Sequence, residues 1–286
     1  MNTQLKMWLD GKWVPVLTGR FPDGAVWGNV GEALPEQAEK LVIRARAMQN
    51  MDDFMCLAQI LDAVRQRCDV RLCYLQLAWL PYARQDRYMG KTDSFALSVF
   101  ARFLNTLQFD RVFVLDPHSE AACAAIDNMV VIPQSRCLIA HTELRHALAS
   151  GELMLVAPDA GALKKIHDVA LAANAQAMAI MTKSRDISTG ALSGFALVSG
   201  DVSGRDVLIA DDLCDAGGTF IGAAAVLRDA GARSISLYVT HGVFSKGVEN
   251  LLNQGIEKIY TTTSYASSSL ASAQVSLVDI DTLFAA

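Results

Sequence analysis

The stretch that decides the fold is Val-Leu-Ile-Ala-Asp-Asp-Leu-Cys-Asp-Ala-Gly-Gly-Thr, residues 207–219. It opens with four apolar residues, some of them β-branched, which is typical of a parallel strand buried in a sheet. Paired acids and a Gly-Gly-Thr turn follow. Apolar residues then recur at helical spacing up to Gly231, which is placed to end a helix. The sequence therefore predicts a strand, an acidic step, a glycine turn and a helix in direct succession.

The acids and glycines of this stretch suit a phosphorylated sugar. Gly217 and Gly218 can adopt φ > 0 and let backbone N–H groups approach an anion, and the start of a helix adds partial positive charge. The carboxylates of Asp211 and Asp212 can accept hydrogen bonds from sugar hydroxyls and can hold Mg²⁺ through water. The alternative is an ordinary strand-to-helix connection with solvated, helix-capping acids. Because all the parts occur in order, we favour the functional interpretation.

The same run resembles the phosphoribosyl-diphosphate motif of type I phosphoribosyltransferases, in which two acids with hydrophobic flanks precede a third acid and a Gly-Thr loop. The resemblance implies that Asp211 and Asp212 hold ribose hydroxyls. It also implies a 5-phosphate cradle made of Asp215, Ala216, Gly217, Gly218 and Thr219.

Composition limits the class of protein. The chain has 286 residues and is 52% hydrophobic, which is enough for two domains with sizeable cores. Six cysteines without a C-x-x-C pair suggest buried thiols in a reducing cytoplasm. A net charge of −5 argues against nucleic-acid binding, and the lack of a long apolar run argues against a membrane span. We expect a cytoplasmic protein that meets an anionic substrate with locally placed cations.

The N-terminal region combines two patterns. Residues 1–30 contain three tryptophans and four glycines, which predicts short antiparallel strands. Residues 35–67 carry apolar residues at helical spacing, which predicts helix throughout. We expect these apolar residues to pack in the core of the domain.

A cationic segment follows the predicted central strand 72–80. Arg84 and Arg87 could pair with phosphates and Gln85 could contact a base edge, or the segment could be a solvated loop tied by an Arg–Asp pair. The run Tyr-Ala-Arg-Gln-Asp, residues 82–86, closely resembles a segment of the ribose-phosphate diphosphokinases. These enzymes make phosphoribosyl diphosphate from ATP and ribose 5-phosphate.

Further motifs of that family follow in order. Asp116 and His118 come after the predicted strand 112–115, where the family carries an Asp-x-His with the histidine at the Mg²⁺ site. Asp159 lies in a Pro-Asp-x-Gly step that resembles the family's Mg²⁺ and ribose 5-phosphate loop, although it could also cap the predicted helix 163–174. Lys183 and Arg185 have the spacing of the family's catalytic lysine and arginine, at the end of a strand.

Taken together, the resemblance covers roughly residues 72–265. It implies an α/β fold of two tandem phosphoribosyltransferase-like domains, each a mostly parallel sheet flanked by helices. We place them at residues 1–135 and 136–270, with a tail, 271–286, that returns to the first domain. The implied reaction transfers diphosphate from Mg-ATP to the 1-hydroxyl of ribose 5-phosphate and releases AMP. The implied assembly is a homo-oligomer built from dimers, up to a hexamer.

The sequence departs from the family in the adenine loop, where the family has Phe, Asn and Glu at alternate positions. The nearest match is Phe21, Asp23 and Ala25, and an alanine cannot replace the acceptors of a glutamate. We assign Phe21, Asp23, Arg84 and Gln85 to ATP, with nucleotide specificity left open. The remaining alternatives are a phosphoribosyltransferase that uses phosphoribosyl diphosphate and a catalytically silent regulatory homologue. The absence of a G-x-G-x-x-G motif argues against a dinucleotide-binding enzyme.

Overall fold

A computed structural model describes residues 5–185 and 192–285, with the backbone alone at residues 184, 185, 192 and 193. The chain divides into two compact units between Ile132 and Pro133, three residues before the predicted boundary. Each unit is built on a mostly parallel sheet with helices, which confirms the predicted α/β fold class.

The first unit contains, in chain order, β1 (Leu5–Leu9), β2 (Lys12–Val14), β3 (Val16–Arg20), β4 (Val26–Val30), β5 (Gln37–Ala45), α1 (Met51–Arg65), β6 (Asp69–Leu77), α2 (Ala96–Asn105), β7 (Arg111–Leu115), α3 (Ala121–Ala125) and β8 (Met129–Ile132). Within the described residues its main sheet has the order β2-β1-β5-β6-β7-β8. Strands β5 to β8 are parallel, whereas β1 and β2 are antiparallel additions at one edge. Strands β3 and β4 form a separate hairpin, so the short antiparallel strands predicted for residues 1–30 are present.

Strand β5 corrects the helix predicted from residue 35 onwards. Its residues from Leu41 to Ala45 are all buried, and the strand is central in the sheet, between β1 and β6. A strand covered on both faces shows no alternation of apolar and polar residues, so its apolar spacing can imitate a helix. The predicted helix is correct only for α1. Asn50 caps α1 by accepting hydrogen bonds from the amides of Asp52 and Asp53.

The second unit contains α4 (Gln134–Ile139), α5 (Thr142–Ser150), β9 (Leu153–Ala157), α6 (Leu163–Ala173), β10 (Met178–Arg185), β11 (Leu192–Ser199), β12 (Asp206–Cys214), α7 (Gly218–Asp229), β13 (Ser234–Gly242), α8 (Glu249–Leu252), β14 (Lys258–Thr262), a 3₁₀ turn (Ser268–Leu270), β15 (Val275–Val278) and α9 (Ile280–Phe284). Among described residues the sheet order is β11-β10-β9-β12-β13-β14-β15. Only the β10–β11 pair is antiparallel in this part of the chain.

The strand order of the second sheet reverses at β9. The chain passes from β9 to β10 on one side and later to β12 on the other side, so β9 lies between them. In open α/β sheets such a reversal leaves a crevice at the carboxyl ends of the strands, where ligands bind. Helix α7 follows β12 and ends as predicted, with Gly231 at φ +88°.

One expectation for the second unit needs correction. Strand β12 continues to Cys214, so Asp211 and Asp212 lie within the strand and not after it. The tail belongs to the second unit, where it forms β15 and α9, and β15 pairs in parallel with β14 at the edge of the second sheet. Among the residues that the structure describes, no helix has the length and apolar composition needed to cross a membrane.

Candidate active site

The carboxyl ends of three adjacent strands bring the charged residues of the second unit together. In the register of the sheet, Ala157 of β9 lies beside Ile180 of β10, and Val156 lies beside Ile209 of β12. The residues a few positions further along each strand therefore emerge at the same edge. These residues are Asp159, Lys183, Asp211 and Asp212.

Asp159 and Lys183 form an ion pair at this edge. The Lys183 ammonium donates to Asp159 Oδ2 at 2.9 Å, and the side chains are 22% (Asp159) and 16% (Lys183) exposed. Asp159 Oδ1 accepts from the Ala162 amide at 3.0 Å, just before α6 begins. Burial by itself raises the pKa of Asp159, but the hydrogen bond from Lys183, helped by the Ala162 amide, outweighs it and lowers that pKa. The carboxylate is thus held ionised beside a partly exposed cation.

Asp211 and Asp212 are fixed to one another and to α6. Asp211 Oδ1 accepts the Asp212 amide at 2.8 Å. The Asp212 side chain, only 9% exposed, accepts at Oδ2 from the Lys165 ammonium at 3.3 Å. Sequence reasoning missed Lys165. A lysine in the first turn of the helix after a Pro-Asp-x-Gly step was the available signal, but nothing in the sequence pairs it with a residue 47 positions away.

Of the two glycines for which we considered a positive φ, Gly217 has one, whereas Gly218 is the first residue of α7. Gly217 adopts φ +84°, and a Cβ built there would lie 2.6 Å from Leu251 Cδ2, so only glycine fits. Gly218 is exposed, with nothing within 4 Å of the position of a Cβ. Because the residue that caps α7 is glycine, it offers no side chain to the amides of the first turn. These amides can therefore serve an anion.

The other residues assigned to the cradle are accessible in part. Asp215, Ala216 and Thr219 are half-buried beside the turn. The Ala216 carbonyl accepts from Asn250 Nδ2 at 3.3 Å, and the Cys214 carbonyl accepts from the amides of Val243 and Phe244. Hydrogen bonds from the segment after β13 thus fix the backbone of the turn.

Arg185, the second residue of the predicted cationic pair, ends β10. Its side chain and the polar segment at residues 186–191 lie outside the described part of the chain. The predicted role of Arg185 therefore stays a prediction.

In the first unit, the cationic segment forms a loop after β6. Arg84 and Gln85 are exposed, whereas Asp86 is buried and accepts from Arg87 Nε at 2.8 Å and Nη2 at 3.1 Å. The hydrogen bond from Arg87 lowers the pKa of Asp86 to about 2, and the charge of His118 contributes in the same direction. The Arg–Asp pair considered as an alternative is therefore present, but it uses Arg87 and leaves Arg84 and Gln85 at the surface.

The residues predicted to bind a metal ion lie in both units. Asp116 is 2% exposed at φ +34°, and its amide donates to the Ile132 carbonyl at 2.8 Å. His118 is exposed, and Asp159 belongs to the second unit. Among the described residues, no three His, Cys, Asp or Glu side chains are grouped in a way that could hold a metal ion. Mg²⁺ does not require such a cage, since proteins usually bind it through one or two carboxylates together with substrate phosphates and water.

The predicted adenine loop is the turn of the β3–β4 hairpin. The Phe21 amide donates to the Ala25 carbonyl at 2.8 Å, and Asp23 Oδ1 accepts the Ala25 amide at 3.0 Å. Arg20 ties the hairpin to α1 through Asp52. The Phe21 side chain is 54% exposed at the tip, available for stacking on a flat ring.

Comparison with known proteins agrees with these motifs. Residues 187–286 match the model of the phosphoribosyl synthetase-associated domain. The ribose-phosphate pyrophosphokinase of Shewanella oneidensis is 30% identical over 250 residues, which cover 86% of this chain and 77% of that protein. The chain belongs to the ribose-phosphate pyrophosphokinase family. The family's enzyme from Granulibacter bethesdensis is 32% identical over 232 residues, covering 80% of this chain and 72% of that protein.

A solved structure supports the same fold. The phosphoribosylpyrophosphate synthetase of Mycobacterium smegmatis superposes with a TM-score of 0.79 over 97% of this chain and 90% of that chain, at 22% sequence identity. The α/β fold of the ribose-phosphate pyrophosphokinase family is therefore retained across its two units, as the motifs predicted.

Proposed function

We propose that this chain is a ribose-phosphate diphosphokinase, which transfers diphosphate from Mg-ATP to ribose 5-phosphate. The ribose 1-hydroxyl oxygen attacks the β-phosphorus of ATP, and the bond from that phosphorus to the α,β-bridging oxygen breaks. AMP leaves with the bonding electrons, and the hydroxyl proton is released. The single observation that carries the proposal is the meeting of Asp159, Lys183, Asp211 and Asp212 at one sheet edge, next to an open helix start.

In this proposal the second unit binds ribose 5-phosphate. Asp211 and Asp212 accept hydrogen bonds from the ribose hydroxyls, since carboxylates are strong acceptors. The turn from Asp215 to Thr219 binds the 5-phosphate through backbone amides and the start of α7. The positive φ of Gly217 gives that turn its shape.

Lys183 and Arg185 stabilise negative charge that develops between the β-phosphate and the departing AMP. Phosphoryl-type transfer asks the protein mainly for positioning and charge stabilisation, so no covalent nucleophile is required. The ion pair with Asp159 holds the Lys183 ammonium at the carboxyl edge of the sheet, and its low exposure strengthens its electrostatic effect.

The nucleotide is assigned to the first unit. Phe21 stacks on adenine, and Arg84 and Gln85 contact the nucleotide from the loop after β6. Asp23 holds the hairpin turn by accepting a hydrogen bond from the Ala25 amide. The turn therefore keeps its shape, although the alanine side chain has no hydrogen-bond acceptor. We propose ATP as the substrate of this surface.

The donor set fits Mg²⁺ at Asp159, whose carboxylate is an oxygen ligand and is partly exposed. The resemblance also assigns Asp116 and His118 of the first unit to Mg²⁺, and of these two His118 is exposed whereas Asp116 is 2% exposed. Bound together with the substrate phosphates, Mg²⁺ would neutralise part of their charge.

The experiment that tests this proposal is a measurement of AMP release from ATP by the purified chain. We expect release that requires both ribose 5-phosphate and Mg²⁺, with 5-phosphoribosyl 1-diphosphate identified by mass spectrometry. Ribose without the 5-phosphate serves as the control and should be inactive. If AMP release is absent while diphosphate is released from phosphoribosyl diphosphate in the presence of a nucleobase, the chain is a phosphoribosyltransferase.

We also propose that the chain acts as a homo-oligomer built from dimers, as large as a hexamer, because the resemblance implies an ATP site shared by two subunits. Mixing a Phe21→Ala chain with an Arg84→Ala chain should then restore part of the activity, as some sites would combine two intact halves. No recovery, with subunit exchange verified by mass spectrometry, would contradict the shared site.

A further inference from the structure

Lys165 is a charged residue of the second unit to which the proposed reaction gives no role. It is the third residue of α6, and its ammonium lies 3.3 Å from Asp212 Oδ2. Its side chain is 32% exposed, whereas that of Asp212 is 9% exposed. The preceding Lys164 belongs to the same helical turn and is exposed. Two adjacent lysines thus differ in exposure, and Lys165 reaches the buried acid.

The burial of Asp212 explains why a cation is needed there. A carboxylate at 9% exposure has lost most of its contact with water, and a buried charge without compensation is costly. Lys165 supplies compensation from α6, a different element from the strand that carries the acid. The lysine also restricts the orientation of Asp212 Oδ2, while Asp211 Oδ1 holds the Asp212 backbone. Both acids of the pair are therefore fixed.

We propose that Lys165 is a positioning residue that fixes the Asp212 carboxylate as an acceptor for the ribose hydroxyls. This inference rests on the proposed function, since it takes ribose 5-phosphate as the ligand of the acid pair. Lys165 acts through Asp212 and contributes no charge at the reacting phosphorus, which is the role of Lys183.

The position of Lys165 determines which kinetic constant it affects. An acid that is held in place before the sugar arrives interacts equally with the substrate and the transition state. Loss of that interaction therefore raises the KM for ribose 5-phosphate without lowering kcat. We expect Lys165→Met to raise the KM for ribose 5-phosphate about tenfold, the effect of losing one well-oriented interaction with a charged group. The kcat and the KM for ATP should stay within about twofold.

The experiment compares four variants by steady-state kinetics and by calorimetric binding of ribose 5-phosphate. Lys165→Arg keeps the cation and should bind within about threefold of the wild type. Lys164→Met removes the neighbouring exposed lysine and should leave all constants unchanged. Asp212→Asn should raise the KM for ribose 5-phosphate, and adding Lys165→Met to it should change that KM by less than about twofold, because the lysine acts only through the carboxylate.

The double variant also covers a failure of Lys165→Met to fold. Lys165→Met alone leaves Asp212 buried without this cation, whereas the double variant has no charge at either position and is the milder change. The KM for ribose 5-phosphate of the double variant, compared with that of Asp212→Asn alone, then decides whether Lys165 acts through Asp212.

The results separate this inference from the proposed function. An active wild type in which Lys165→Met behaves like Lys164→Met overturns the positioning role and leaves the function intact. So does a double variant whose KM for ribose 5-phosphate is the product of the two single effects. A wild type that neither binds ribose 5-phosphate nor releases AMP overturns both.

Discussion

The predicted site residues of the two units are held by different kinds of ion pair, although the first unit has distant pairs elsewhere, such as Arg20 with Asp52. In the first unit, Asp86 pairs with its sequence neighbour Arg87, whose side chain is 69% exposed. In the second unit, Lys183 pairs with Asp159 across 24 positions and Lys165 pairs with Asp212 across 47 positions, and neither lysine is more than 32% exposed. A pair between neighbours can form in any loop, whereas the distant pairs exist only because adjacent elements bring them together. The ion pairs at the site of the second unit therefore depend on its tertiary structure.

The strand orders explain this difference. In the first sheet the parallel strands follow the chain order β5-β6-β7-β8, whereas in the second sheet β9 lies between β10 and β12. The connections that leave β9 and β12 consequently diverge and leave a crevice between them. Lys183, Asp159 and Asp211 stand at that crevice, which is why we expect the largest functional effects there.

The strongest test of the comparison is Lys183→Ala. The charge on Lys183 should act mainly in the transition state, so kcat should fall on the order of 10² to 10³, or roughly 3 to 4 kcal/mol. Steady-state kinetics and ATP-binding calorimetry measure the two contributions, with the exposed Lys246→Ala as the matched control. A near-normal kcat, or a defect that consists entirely of lost ATP affinity, would show that Lys183 is not catalytic.

A second test replaces Asp211 and Asp212 together by Asn. Neutral amides are weaker acceptors for sugar hydroxyls, so the KM for ribose 5-phosphate should rise about 10- to 100-fold while the fold is retained. Asp229→Asn, at an exposed position at the end of α7, is the control for loss of a carboxylate. Unchanged ribose 5-phosphate kinetics in the double variant would remove the acid pair from the site.

Substitutions in the glycine turn should have a smaller effect than the two tests above, and it is measured as a change in the free energy of unfolding. Gly217→Ala places a Cβ at φ +84° and 2.6 Å from Leu251 Cδ2, so it should lower the free energy of unfolding by about 1 to 3 kcal/mol. Gly218→Ala, where the space is open, should change it by less than about 0.5 kcal/mol. Urea unfolding of the two variants measures the contrast, and equal effects would mean that the turn relaxes around the new methyl group.

The smallest effect concerns the first unit. Because Arg87 depresses the pKa of Asp86 from 3.8 to about 2, the pair contributes stability that is fully present above about pH 4 and is lost as the pH falls through 2. The shift corresponds to about 2 kcal/mol, which we reduce to about 1 kcal/mol because solvent screens the exposed guanidinium.

Asp86→Asn should therefore lower the urea midpoint of unfolding at pH 7, and its difference from the wild type should shrink between pH 4 and pH 2. Asp93→Asn, at an exposed position of the same loop, is the control. A difference between Asp86→Asn and the wild type that does not change with pH would mean that the Asp86 charge is not its source.

The sequence by itself determined the features that consecutive residues encode. The strand, glycine turn and helix of residues 206–229 follow from local apolar runs and from the φ that glycine permits, and the structure has these three elements in that order. The loops that carry Asp159 and Arg84 were likewise predicted from their position after apolar strands. Local preference and final fold agree in these segments.

Only the tertiary structure decided what depends on neighbours distant in the chain. Strand β5 has helix-like apolar spacing, and it is a strand because β1 and β6 cover both its edges. Strand β12 extends through Asp211 and Asp212 because β13 pairs with it as far as Gly242. The pairing of Lys165 with Asp212 depends on the fold, which brings the first turn of α6 within reach of β12, since the two residues share no local pattern. Sequence periodicity reports one chain segment at a time, whereas register and ion pairing are properties of two segments, so the fold alone could assign them.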